Sequence, residues 1–160
     1  MSINDWNCYA VGPAIEGEAA MALLEWSESL DVHVDPMNIE HVELIRLMNV
    51  AYDVNGTGRV VVAAALSELV DFLVTHFAHE EAYMESVGFE GLETHRGIHD
   101  DLLAKMAKHV QDFRGSDSGV LPEEFFEFLK FWLVSHIQGI DAEYDKFVNS
   151  SPVRPSPAAV

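Results

Sequence analysis

The chain is poor in cysteine and in positive charge, and both shortages narrow what it can do. Its 160 residues include one cysteine, Cys8. A lone cysteine forms no internal disulfide, so nothing here asks for an oxidising compartment. Lysine and arginine together number 9, against 27 aspartates and glutamates, for a formal net charge of −18. That balance argues against binding to the phosphate backbone of nucleic acids and against attraction to an anionic membrane surface. It suits a solvated, acidic exterior. The first basic residue is Arg46, so the positively charged start of a secretory signal is missing. Long apolar runs are missing too. The longest, Val60 to Leu66, is soon broken by Ser67, Glu68 and Asp71, well short of a membrane span. We expect a soluble, cytoplasmic protein with one domain and one sizeable core.

What is present is helical periodicity. Residues 1–25 read as an N-terminal extension, in which Glu16 to Trp26 suits a short helix with Ala19, Ala20, Leu23 and Leu24 on one side. Residues 26–37 read as extended, because Leu30, Val32 and Val34 alternate and Pro36 stops a helix there. Such a segment fits across the outside of a bundle. Four helices follow. The first spans about Asn38 to Asp53, with Asn38 as N-cap and Asn55-Gly56 as the turn. The second spans Arg59 to Val87 and stops at Gly88. The third spans Gly91 to Phe113. The fourth starts near Pro122, a favoured first-turn residue, and runs to Val148. Residues 149–160 hold three prolines and three serines and read as a disordered tail. Four long helices with short loops predict an all-α fold: an up-down-up-down antiparallel four-helix bundle over residues 26–148.

Five histidines and two carboxylates stand at spacings that suit one metal centre: His41, His76, Glu80, His95, His99, His136 and Asp141. They fall on all four helices. Residues equally far from a turn lie side by side in an antiparallel pair, which puts Glu80 level with His99 and His99 level with His136. His41 and His76 differ by about five residues, roughly 7 Å along the axis. His76 and Glu80 are four apart, as are His95 and His99, so each pair shares a helix face. Asp141 follows His136 by five, which turns it roughly 140° round an ideal α-helix and makes sense only for a ligand bridging from the side. Two octahedral ions offer about twelve positions. Five imidazoles, two bridging carboxylates and one oxo or hydroxo bridge leave about one open. Imidazole and carboxylate without thiolate suit iron, and zinc or manganese less specifically. His33, His79 and His109 lack partners at matching levels and read as surface residues.

These residues carry a family resemblance. Leu30-Asp31-Val32 leads to Asn38-Ile39-Glu40-His41. Next come His76-Phe77-Ala78-His79-Glu80-Glu81 and the pair His95 and His99. Trp132-Leu133-Val134-Ser135-His136-Ile137 closes the series with Asp141 and Tyr144. Over residues 26–144 the chain resembles the hemerythrins, and in particular their bacterial members. The resemblance implies two iron ions. One would be held by His95, His99 and His136 and the other, with the open position, by His41 and His76, with Glu80 and Asp141 bridging them. It implies reversible binding of O2 end-on at the open iron, each iron giving one electron, for storage, transport or sensing. It also places Trp132, Leu133 and Ile137 along the oxygen pocket, where ordinary core packing is the bland alternative. The family commonly has Asp and Gln where this chain has Asn38 and Glu40. Glu40, beside His41, is expected to alter hydrogen bonding or charge around the metals.

The alternatives are a di-iron oxidase, peroxidase or nitric oxide-handling enzyme, a sensor needing a separate protein partner that docks on residues 1–25, and a zinc-stabilised bundle. No general acid, base or nucleophile separate from the ligands is evident, which favours binding over catalysis.

Overall fold

The computed structural model describes residues 22–150. Cys8 and the tail from residue 151 onward lie outside the described residues. Four long helical stretches run up and down in an antiparallel bundle: α1 Asp35–Asp53, α2 Arg59–Val87, α3 Leu92–Gly115, and a last stretch of α4 Glu123–Ser135, a π-helical segment His136–Asp141 and α5 Ala142–Ser150. The core is apolar and continuous. Leu44, Leu47, Leu66, Leu69, Met84, Leu102, Phe125, Phe126 and Leu133 are all buried in it.

Local chemistry explains most boundaries. Gly88 closes α2 in the left-handed region at φ 70°. Its amide and that of Phe89 bond back to the carbonyls of Glu85 and Met84, the pattern of a Schellman close. Only four residues, 88–91, separate α2 from α3. At the opposite end the Asn55 side chain grips both backbone groups of Leu121, at 2.8 and 2.9 Å, and joins the α1–α2 and α3–α4 loops. The Arg59 guanidinium donates to the carbonyls of Arg114 and Ser116, which α3 leaves unpaired at its end.

Five sequence expectations need correction. Pro36 does not bar a helix; it sits in the first turn of α1, where it leaves no helical hydrogen bond unmade. Asn38 therefore lies inside α1 and is no N-cap. Its side-chain amide accepts from the Val32 amide (3.1 Å) and donates to Asp31 (2.7 Å), tethering the preceding segment. Residues 22–26 are not helical; Leu24 is held by a two-way hydrogen bond with the Asn49 side chain. The last helix is not uniformly α-helical, because the π-helical segment divides it. The segment before α1 is extended only in part, since Glu28–Leu30 forms a short 3-10 helix, but it alternates as expected: Leu30, Val32 and Val34 are buried, and Asp31 and His33 between them are exposed.

Averaged hydropathy also departs from the run-based reading. An 18-residue window of α2 reaches a mean of 1.8, so α2 is long and apolar enough to cross a membrane by length and composition. The polar residues that break its longest run are too few to lower the average. In the bundle its Val62, Leu66, Leu69 and Leu73 face the core, and the same face carries His76 and Glu80 inward.

Candidate metal centre

All seven candidate ligands are buried, none more than 3 % exposed, and among the described residues no other charged or histidine side chain is as deeply buried. The Nε2 atoms of His95, His99 and His136 converge: His99 stands 3.1 Å from His95 and 3.2 Å from His136. Adjacent ligands on one ion with bonds of about 2.1 Å are about 3 Å apart, so this spacing suits shared coordination. Glu80 completes this group and also belongs to a second one with His41 and His76. Asp141 faces both halves. Its Oδ1 lies 3.0 Å from His136 Nε2 and 3.4 Å from His95 Nε2, and its Oδ2 lies 3.5 Å from His41 Nε2.

The π-helical segment explains the five-residue offset. Its hydrogen bonds run i→i+5, which brings Asp141 back to the side of His136 instead of 140° away. The α1–α2 offset is absorbed by a stagger. Glu40 reaches His76 and Arg46 reaches Glu68, displaced by about four and about two residues from pairing about the loop centre at residue 56.

The donor chemistry fits metal. Among the described residues, six buried side-chain polar atoms have no hydrogen-bond partner within the protein: both ring nitrogens of His41, Nδ1 of His136, Oε2 of Glu80 and both oxygens of Asp141. Each orphan costs about 1–3 kcal/mol unless something satisfies it. All six sit on candidate ligands, and cations would satisfy those that face the cluster. Burial, with neighbouring His76, pushes His41 down to about 3, and burial also pushes His136 down to about 3. Both rings are therefore neutral at physiological pH, the state in which a nitrogen can donate its lone pair. Burial opposes charge on Glu80, but the adjoining imidazoles of His95 and His99 prevail and hold it well below the usual carboxylate range. Burial and the Glu80 charge push Asp141 well above it. Cations would allow both to ionise.

Glu40 was expected to affect hydrogen bonding around the metals, but its partners, and several other contributors, were not assigned from sequence. Glu40 does not serve its neighbour His41. It accepts from Nδ1 of His76 (2.9 Å) and Nδ1 of His79 (2.8 Å). His79 is exposed, as expected, but has this partner. Glu81 accepts from Nδ1 of His99 at 2.8 Å. Each bond places the ring proton on Nδ1 and turns Nε2 to the centre. The available signal was position: a carboxylate one residue before or after a ligand lies about 100° round the helix, facing the next helix. The Tyr144 hydroxyl, fully buried, donates to Glu80 Oε1 at 2.9 Å. Phe77 stacks on His99 at 3.7 Å and 7°. His109 is half-buried against Phe125, and exposed His33 faces Asp145 at 3.3 Å.

An apolar cavity of about 10 Å³ lies beside the centre, its nearest lining residues about one helical turn from the ligands, none of which lines it, with room for about one water-sized molecule. Its lining forms two layers. Leu44, Leu73, Leu102 and Leu133 stand three positions from His41, His76, His99 and His136; Met48, Leu69, Met106 and Leu129 stand seven. Trp132 closes the side and stacks on His136 at 4.5 Å. Of the three expected pocket residues, Trp132 and Leu133 line the cavity. Ile137 is buried but does not.

Residues 32–147 match the family model described as the hemerythrin HHE cation binding domain. The chain belongs to the hemerythrin family. It is 30 % identical over 133 residues to a bacteriohemerythrin of Pseudomonas paraeruginosa, covering 82 % of this chain and 85 % of that protein. A hemerythrin-like protein of Naegleria gruberi is 36 % identical over 119 residues, covering 74 % and 88 %. A myohemerythrin of Riftia pachyptila is 35 % identical over the same length, with the same coverage. Among solved structures, wild-type hemerythrin superposes with a TM-score of 0.72 at 27 % identity, covering 78 % of this chain and 96 % of that one. These likenesses extend the hemerythrin assignment from sequence to fold.

Proposed function

We propose that this hemerythrin domain binds O2 reversibly at two non-haem iron ions. His95, His99 and His136 would hold one ion, and His41 and His76 the other. Glu80, Asp141 and a solvent-derived oxo or hydroxo group would bridge them. The observation that carries the reading is the set of six partnerless buried atoms, all on these ligands. When bound, the iron pair supplies the electrons that O2 takes up on binding and returns on release.

The chain's residues set the conditions. Glu40 and Glu81 keep the Nδ1 protons of His76 and His99, so both rings offer Nε2 inward. Tyr144 occupies Oε1 of Glu80 and leaves Oε2 free. The leucine layer and Trp132 keep the approach apolar. Excluding water slows loss of reduced oxygen and the oxidation that ends binding. A count of about one open position among twelve favours binding over turnover.

The test is to load the protein with ferrous iron without oxygen, admit air and then remove it. The visible spectrum should cycle, with two irons per chain by metal analysis. His76→Ala and His99→Ala should each lower the iron content. Irreversible oxidation at the first exposure would overturn reversible binding, and unchanged iron in both variants would overturn the ligand set.

A further inference from the structure

The side chains of the second cavity layer are chemically unequal. The first layer is all leucine, which hydrogen peroxide does not attack. The second pairs Leu69 and Leu129 with two thioethers, Met48 and Met106, 3 % and 0 % exposed. Seven positions of helix put them about 10 Å beyond the ligands. Met37 and Met84 are as deeply buried, at 4 % and 0 %. Each is only four positions from a ligand, about 6 Å along its helix, but neither lines the cavity.

We propose that Met48 and Met106 intercept hydrogen peroxide that leaves the metal centre through the apolar cavity, and are oxidised to the sulfoxide. The inference rests on the oxygen-binding reading above, since slow oxidation of the loaded centre is the source of the peroxide. The sulfur lone pair attacks one peroxide oxygen and the O–O bond breaks. The departing hydroxide takes the proton from the new S–OH and leaves as water. Sulfur loses two electrons and peroxide gains them. Each methionine removes one peroxide, so the chain can absorb two before a reductase must restore it. The product is polar and sits where the lining was wholly apolar, so oxidation would also wet the path to the centre.

The experiment uses the full chain loaded with ferrous iron and cycled repeatedly between air and vacuum. Catalase in the buffer destroys any peroxide that escapes. Peptide mass spectrometry should show an added oxygen on Met48 and Met106 that grows with cycle number, with Met37 and Met84 unchanged. Equal oxidation of all four, oxidation of Trp132 alone, or intact thioethers in a centre that has oxidised would overturn the inference. In a second measurement, Met48→Leu/Met106→Leu keeps the core volume nearly constant. Without catalase, this variant should release about two more peroxides per chain over the first cycles than the parent. Equal release would count against interception. A chain that takes up no iron sinks the oxygen-binding reading and this inference together. A chain that cycles oxygen but keeps both thioethers sinks the inference alone.

Discussion

His41→Leu should stabilise the metal-free protein while damaging the metal centre. His41 is fully buried, and neither ring nitrogen has a hydrogen-bond partner. A neutral imidazole brings one donor and one lone pair, and each orphan costs about 1–3 kcal/mol. Leucine brings neither. Allowing for imperfect packing of the branched chain, the gain should be about 2 kcal/mol, or about 4–8 °C in Tm for a protein of this size. The gain should also depend on pH. Burial holds His41 down to about 3 in the folded chain, whereas the unfolded chain takes up the proton near 6.5. Between those values the unfolded state binds more protons, so acid costs wild-type stability that the variant keeps. The gap should be flat above pH 7 and widen by up to about 1.4 kcal/mol per unit from 6.5 down to 3. Denaturant titrations of chelator-stripped wild type and variant across that range are the assay. With metal restored the order should reverse, because the variant has lost a ligand of the two-histidine half. A metal-free variant no more stable than wild type, or a gap that ignores pH, would refute the claim that His41 is an uncompensated buried group.

Glu40→Gln removes the anionic acceptor from His76, and metal affinity in that half should drop about 10–100-fold by competition with a chelator; an unchanged affinity would show that the tether orients nothing. Tyr144→Phe should cost about 1.5–3 kcal/mol in a denaturant titration, the range for a hydrogen bond to a charged group, and a loss under about 0.5 would mean that Glu80 Oε1 finds another donor. Leu133→Ala should cost about 2–5 kcal/mol and speed oxidation of the loaded centre by opening the leucine layer to water; a variant that oxidises no faster would remove the layer from its protective role. Deleting Gly139 turns the His136–Asp141 spacing from five to four, which an ordinary α-helix also places on one face. Metal content should survive that deletion but fall when an alanine is inserted at the same place.

The bundle was legible because its signals are periodic and repeated. The apolar stripes of α1 to α4 and the glycine at 88 gave the helices and the end of α2. Single residues misled. Asn38 and Pro36 each carry a strong local meaning, but the start of α1 is decided by a tether from Asn38 to Val32 and Asp31 that caps nothing. Proline is as acceptable in a first turn as after a last one. Only the docking of the preceding segment, with Leu30, Val32 and Val34 buried, chooses between these readings. His79 misled for the same reason, since its partner Glu40 is 39 positions away.

Most of the metal cluster was legible from distances to the turns. Counting from the turns places Glu80, His99 and His136 on one level, and the structure brings them together. The count slips by about a turn between α1 and α2, where packing and not the position of the turn sets the stagger. Periodicity also cannot announce its own exception: a five-residue spacing looks like a misfit until the helix itself changes pitch at His136–Asp141. The same structure shows that the histidines are held in two ways. His76 and His99 are oriented by carboxylates from neighbouring positions on the bundle. His41 has no such tether, and His136 keeps an orphaned Nδ1 beneath the Trp132 ring. The first pair keep their orientation without metal. The second pair have polar atoms that the fold leaves unmatched, so the metal-free chain carries at His41 and His136 a penalty that it would not carry at His76 or His99. Stability measured with and without metal therefore separates ligands that the fold positions from ligands that it merely buries.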